Sequence, residues 1–227
     1  MIDIDGLSKS FGARTLWSDV TFSINRGEML ALVGPSGSGK STLLNCLGLL
    51  DAPSAGAIRH EGKDITRFDQ RGARRFRRDV LGYLFQNYAL IDNATVAANL
   101  DVAVRPRRSF RRDSGLTIAQ ALDRVGLAGR EKERVHQLSG GEQQRVALAR
   151  LMVKEPALVL ADEPTGALDH ANTTMVVDIL RRMSDAGCAI VIATHNDYVR
   201  DRCDAIRAME EDPSRSRSGP LRNPHPQ

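Results

Sequence analysis

The chain is poor in aromatic residues and cysteine, and it has no long apolar run. Phe, Trp and Tyr make up 4% of its 227 residues, too few for a platform on which single-stranded nucleic acid stacks base upon base. Its three cysteines, Cys46, Cys188 and Cys203, are odd in number and far apart. They offer neither a disulfide framework nor a metal-ligand spacing, and a reducing cytosol is the expected setting. No apolar stretch approaches the roughly 20 residues that cross a bilayer. The opening MIDIDGLSKSFG has acids where a secretory signal needs basic residues and then an apolar core. The expectation is a protein neither exported nor membrane-spanning by itself. An excess of one charge is missing too. Lys and Arg number 32 against 28 Asp and Glu, a mild balance that suits a phosphate-rich ligand or a membrane surface and decides for neither.

What is present has the balance of an ordinary globular protein, 41% hydrophobic and 26% charged, with a length that favours one fairly large domain over two. Strand-like alternation runs over Met1 to Leu7 and Leu16 to Ile24, with a glycine-containing turn at Phe11 to Arg14 between them. Met29 to Val33, Leu158 to Ala161 and Ala189 to Ala193 have the length and β-branching of parallel strands covered on both faces. Helical segments fall after Ser41 and around Gly141 to Val153 and Asn172 to Asp185. Strand alternating with helix predicts an α/β domain with a mostly parallel sheet. Between about residues 70 and 138 strand-like runs become scarce. Two arginine clusters appear there, Arg71 to Arg78 and Arg105 to Arg112, and this stretch reads as a helical insertion. From Glu210 onward there is almost nothing to bury, and a disordered tail is expected over 210–227.

Gly34-Pro35-Ser36-Gly37-Ser38-Gly39-Lys40-Ser41 has the spacing G-x-x-x-x-G-K-[ST], placed after a buried strand and before a helix-like segment that starts at Ser41, and these eight residues with Thr42 are the candidate nucleotide-binding set. Glycines let successive backbone N–H groups point at phosphate oxygens, and the helix N-terminus adds its positive end. Lys40 would reach the β- and γ-phosphates, and the Ser41 hydroxyl would ligate Mg²⁺. By itself this motif indicates a nucleoside triphosphate. A second apolar strand ends in Asp162-Glu163, which can hold Asp162 at the Mg²⁺ and place Glu163 where it takes a proton from attacking water. Found alone, such a pair is often a solvated turn. Leu138-Ser139-Gly140-Gly141-Glu142-Gln143-Gln144-Arg145 opens another helix. Ser139 with Glu142 three residues on reads as a capping box, and the same helix start is anion-receptive.

At these residues the chain resembles the nucleotide-binding subunits of ATP-binding cassette (ABC) transporters, over about residues 1–209. LSGGEQQR is the signature of that family and is far more specific than the phosphate loop. The resemblance implies a P-loop NTPase (RecA-like) α/β core with an antiparallel β-subdomain and a helical ABC-specific subdomain at about 87–155. It implies ATP as ligand with Mg²⁺ held by Ser41, Gln86 and Asp162. Phe11 stands where an aromatic ring stacks on adenine, the alternative being a buried strand-end aromatic. Gln86 matches the loop glutamine that touches Mg²⁺ and the attacking water, and His195 matches the switch histidine that contacts the γ-phosphate and Glu163. Leu168-Asp169 matches the loop linking two active sites across a dimer.

The implied reaction is phosphoryl transfer from ATP to water in a head-to-tail dimer. Each ATP would lie between one copy's phosphate loop and the other's Ser139-Gly140-Gly141. The implied partners are a second copy and a membrane permease, so the expected location is the cytoplasmic face of the membrane, with no nucleic acid bound. LLNCLGLLDAPSAGAI, GYLFQNYALIDNATV and ADEPTGALD resemble the MacB/LolD branch, whose permeases have four helices. GYLFQNYALI with QLSGGEQQRVALARLMVK looks closest to lactococcin-type bacteriocin exporters. Ala97-Ala98-Asn99 departs from the Glu-Asn usual in this region, and Ala205 to Met209 lacks the usual Asp-Gly turn. Two rival classes share this chemistry. DNA-associated ABC ATPases insert long coiled coils, and no heptad array is present here. FtsE-like subunits, which regulate cell-wall hydrolases, remain open.

Overall fold

A computed structural model of the chain describes residues 1–104, 115–166 and 168–209. Strands β1 (Ile2–Phe11), β2 (Arg14–Ile24) and β3 (Met29–Val33) lead into helix α1 (Lys40–Leu47). Then come β4 (Ala55–His60), β5 (Lys63–Asp64), α2 (Gln70–Asp79), β6 (Leu81–Leu84), α3 (Val96–Val104) and α4 (Ile118–Arg124). Last are α5 (Gly140–Lys154), β7 (Leu158–Asp162), α6 (His170–Asp185), β8 (Ala189–Ala193), α7 (Asp197–Arg200) and β9 (Ala205–Ala208). An antiparallel sheet runs β2-β1-β4-β5, and a parallel one runs β6-β7-β8-β3-β9. The described residues include no helix long and apolar enough to cross a membrane.

The parallel strands are apolar throughout because each feeds two cores. On β8, Ile190 and Ile192 face the core built with α3 to α6, while Ala189, Val191 and Ala193 face the core shared with α1 and the antiparallel sheet. On β7, Val159 and Ala161 divide from Leu158 and Leu160 in the same way. A strand sandwiched like this cannot alternate with polar residues, which is why these runs read as strands in the sequence. β1 and β2 extend further than the alternation suggested, to a hairpin in which Phe11 pairs with Arg14. Register shifts between Ile4 and Leu7 break the period of two and hide the continuation.

The helical insertion expected from residue 70 begins later. α2 anchors itself by a single buried side chain, Phe76, in the core shared with α1 and the antiparallel sheet. Arg77 Nη1 donates to Leu49 O at 2.5 Å. β6 then joins the parallel sheet beside β7. The Arg71 to Arg78 cluster therefore rides on this core, with a tie to the end of α5, where Lys154 Nζ donates to Arg77 O at 2.8 Å. The segment is strongly amphipathic, with Phe76 on its buried face, and that pattern marks a helix lying on a core without saying which core. The second cluster, Arg105 to Arg112, and the tail from Glu210 lie outside the described residues; Met209, just before that tail, is buried.

Candidate active site

Strands β3, β7 and β8 all end at the same edge of the sheet, where open α/β sheets bind their ligands. The phosphate loop follows β3, and its glycines are sterically required. A Cβ at Gly34 would lie 2.4 Å from the backbone oxygen of Met209, and one at Gly39 would lie 2.7 Å from Leu16 Cδ2 and the Trp17 ring. Gly39 also has φ 90° as the N-cap of α1. Lys40 Nζ donates to Gly34 O at 2.8 Å and Pro35 O at 3.0 Å, which leaves its third proton for an anion.

β7 delivers Asp162 and Glu163. The Ser41 hydroxyl hydrogen-bonds Asp162; burial, more than the neighbouring Glu163 charge, pushes that carboxyl above its ordinary value, and Ser41 and Lys40 oppose the shift. Glu163 has φ 46°, a left-handed conformation unusual for a residue with a side chain. Its N–H donates to Ala193 O at 2.9 Å, tying it to the end of β8. This backbone aims the carboxylate at His195, whose Nδ1 lies 2.9 Å from Oε1. Oε2 is buried and accepts no hydrogen bond, an orphan acceptor of the kind found where a substrate proton is taken.

Phe11, Gly34, Ser36, Gly37, Gly39, Lys40, Ser41, Thr42, Gln86, Asp162, Glu163 and His195 line one cavity of about 730 Å³. Phe11 is 56% exposed, so it is not a buried strand-end aromatic, and Lys9 Nζ stands 4.8 Å from its ring centre. β6 beside β7 brings Gln86 to the same wall. Arg14 and Leu16 also line the cavity and escaped sequence reasoning; the hairpin pairing of Arg14 with Phe11 is the signal that places them. Pro35 and Ser38 do not line it. Pro35 holds Lys40 through its carbonyl, and Ser38 is buried beneath the loop. Asp162, the Ser41 hydroxyl and the Gln86 carbonyl are oxygen donors of the type Mg²⁺ takes, with phosphates completing its shell. Among the described residues no cluster of His, Cys, Asp and Glu could hold a metal by itself. The donor set thus fits an ion that arrives with phosphate.

Ser139, Gly140, Gly141 and Asp169 lie outside this cavity. Ser139 caps α5 in a full capping box. Its N–H and hydroxyl each donate to Glu142 Oε2 at 2.8 Å, and Arg130 Nη1 donates to Glu142 Oε1 at 2.6 Å. Asp169 caps α6, accepting from Asn172 N at 2.8 Å. Asn172 in turn accepts from Arg145 of α5 at 2.8 Å, and Gln144 Nε2 donates to Pro164 O at 2.7 Å. α5 thereby holds the segment between Glu163 and α6.

The Ser139 donors, and then Arg130, hold the Glu142 carboxyl down at about 2 from an ordinary 4.5. A folded value below the unfolded one stabilises the fold above the unfolded value and loses that contribution as pH falls from about 4.5 toward 2. Glu142→Gln is expected to cost about 1 kcal/mol at neutral pH, or about 2–4 °C in melting temperature for a domain of this size. The gap between the melting curves of the two proteins should close toward pH 2; a gap independent of pH would show that the carboxylate charge contributes nothing.

With this geometry in place, the sequence profile of the ABC transporter family matches residues 17–166. The chain belongs to the ABC transporter family. It is one of the family's ATPase cassettes, of the MacB/LolD-like group. It is 43% identical over 194 residues to the lipoprotein-releasing system ATP-binding protein LolD of Bordetella pertussis, covering 85% of this chain and 84% of that protein. With the macrolide export ATP-binding/permease protein MacB of Nitrobacter winogradskyi it shares 37% identity over 224 residues. That match takes in 97% of this chain but only 35% of the relative, so the cassette spans about a third of that protein's length. A bacterial ABC transporter cassette solved as a dimer superposes with a TM-score of 0.82 at 30% identity, covering 92% of this chain and 94% of that one. The same cassette has also been solved as a dimer in a post-hydrolysis state bound to ADP and Pi.

Proposed function

We propose that this cassette is the ATP-hydrolysing subunit of a MacB/LolD-type exporter. Two copies would close around two ATP and drive a separate four-helix permease at the cytoplasmic face of the membrane. The cargo class we assign is that of the branch: peptides such as bacteriocins, lipoproteins or drugs. The observation that carries this reading is the meeting of Lys40, Ser41, Gln86, Asp162, Glu163 and His195 around one cavity that Ser139-Gly140-Gly141 does not line. A site whose signature residues stand apart from its own phosphate loop is completed by a second copy.

In this reading Glu163 accepts a proton from water held against the γ-phosphorus. The water oxygen bonds to phosphorus as the bond to the β-phosphate oxygen breaks, releasing ADP and phosphate. His195 holds Oε1 of Glu163 and leaves the second oxygen to act. Lys40 and the loop N–H groups meet the charge spread over the transferring phosphoryl. Ser41, Asp162 and Gln86 would hold Mg²⁺, which when bound neutralises charge on the β- and γ-oxygens. Phe11 offers its exposed ring to the adenine face. The helices within about residues 87–155 form the proposed subdomain that meets the permease.

A shared site makes turnover depend on association. Steady-state phosphate release per subunit by the isolated protein is expected to rise with protein concentration. Specific activity that does not change on dilution would refute the shared site.

A further inference from the structure

The loop that carries Gln86 has a conformation that side-chain-bearing residues avoid. Tyr88 and Ala89 are consecutive and both left-handed, with φ 62° and 46°. Their own N–H groups close tight turns onto Phe85 O at 3.0 Å and Asn87 O at 2.7 Å. Their carbonyls are both taken by one side chain more than 60 residues away: Arg150 Nη2 donates to Tyr88 O at 2.9 Å, and Nη1 donates to Ala89 O at 2.7 Å. Burial works against the charge on Arg150, and among the described residues no carboxylate compensates it. Arg150 is half-buried, and a guanidinium whose two terminal nitrogens both donate to loop carbonyls is better explained by the loop it grips than by stability, since taking a charge out of water is costly.

Two further contacts complete the arrangement. The Tyr88 hydroxyl stands against the first turn of α5, where a Cβ on Gly140 would be 3.2 Å from it. Downstream, the buried Asn99 accepts from Ile91 N at 2.7 Å and donates to Ile91 O at 3.2 Å. The loop is thus fixed just beyond Gln86 and again at its entry to α3, while Gln86 itself stays exposed on the cavity wall.

We propose that Arg150 is a positioning residue for ATP hydrolysis: its guanidinium locks Tyr88 and Ala89 in their left-handed form, fixes Gln86 at the cavity, and couples that loop to the helix that begins at Gly140. The proposal rests on the reading of the cavity as an ATPase site that uses Gln86. The fork of donors is essential, because a lysine ammonium presents its donors from one point and cannot span two carbonyls in the same geometry.

The test uses the full chain with Arg150→Met, Arg150→Lys, Ala89→Gly and the double variant Arg150→Met/Ala89→Gly. The readouts are kcat and KM for ATP, melting temperature, and amide hydrogen exchange over residues 86–91. Arg150→Met is expected to lower kcat about 10- to 100-fold, the scale of a misplaced catalytic group, with a smaller change in KM and faster exchange in the loop. Arg150→Lys should fall between, and it decides the matter if the methionine variant does not fold. Glycine takes the left-handed form unaided, so the double variant should regain kcat over Arg150→Met. A lower melting temperature with unchanged kcat would overturn the proposal, as would loop exchange unaffected by both Arg150 variants. Wild-type protein without Glu163-dependent turnover would overturn the reading of the site itself, and loop exchange would still report separately whether Arg150 grips the loop.

Discussion

Glu163→Gln is expected to lower ATP turnover by about 10²- to 10⁴-fold, the range for removing a positioned general base, or about 3–5 kcal/mol of barrier. Glutamine preserves the shape of the side chain and can still meet His195, so the cavity should keep its form. What it loses is the basic oxygen, Oε2, which the structure leaves buried and without a donor. The left-handed backbone at Glu163 and its tie to Ala193 O belong to the main chain and are unchanged by the substitution. Nucleotide affinity should therefore persist, and with hydrolysis blocked an ATP-bound dimer should accumulate. Phosphate release measured beside size-exclusion chromatography in ATP checks both parts. Near-normal turnover would remove Glu163 from the role of base, and lost turnover without a dimer would point to a disrupted site.

The site divides into parts that a sequence displays and parts that only a fold assembles. The phosphate loop was legible because eight contiguous residues perform one task and their glycines answer a local steric demand, seen at Gly34 and Gly39. β3, β7 and β8 were legible because burial on both faces leaves no room for polar residues. Phe11 and Gln86 carry no signal alone; only the resemblance singled them out, and it takes the β1–β2 hairpin and β6 to bring them to the cavity. β6 was missed because it has four residues, two of them Gly82 and Tyr83, and follows an arginine-rich helix with a single buried side chain. Arg150 illustrates the same limit from the opposite direction. An arginine on a helix usually marks a solvated face, and nothing in the 3.6-residue period indicates that a distant loop folds over it. The capping box at Ser139 was readable and correct, but it describes one chain; what that helix start faces in a dimer lies beyond local pattern.

Lys40→Met is expected to weaken binding of a non-hydrolysable ATP analogue by about 10²- to 10³-fold, and to weaken ADP binding less. Charge-assisted hydrogen bonds contribute about 1.5–3 kcal/mol each, and one or two are lost with the ammonium, at about 1.4 kcal/mol per decade of affinity. Discrimination between the two nucleotides follows from reach. The ammonium is drawn to the head of the loop by Gly34 O at 2.8 Å and Pro35 O at 3.0 Å, where its remaining proton would serve the β- and γ-phosphates together; ADP offers only the first of these. Methionine has similar bulk and opens α1 as readily as lysine, so folding should be little affected, although two loop carbonyls lose their donor. Calorimetric titration with both nucleotides, beside a melting curve, separates the effects. Equal losses for ATP analogue and ADP would confine Lys40 to the β-phosphate, and unchanged affinity would leave phosphate binding to the backbone N–H groups and the α1 N-terminus alone.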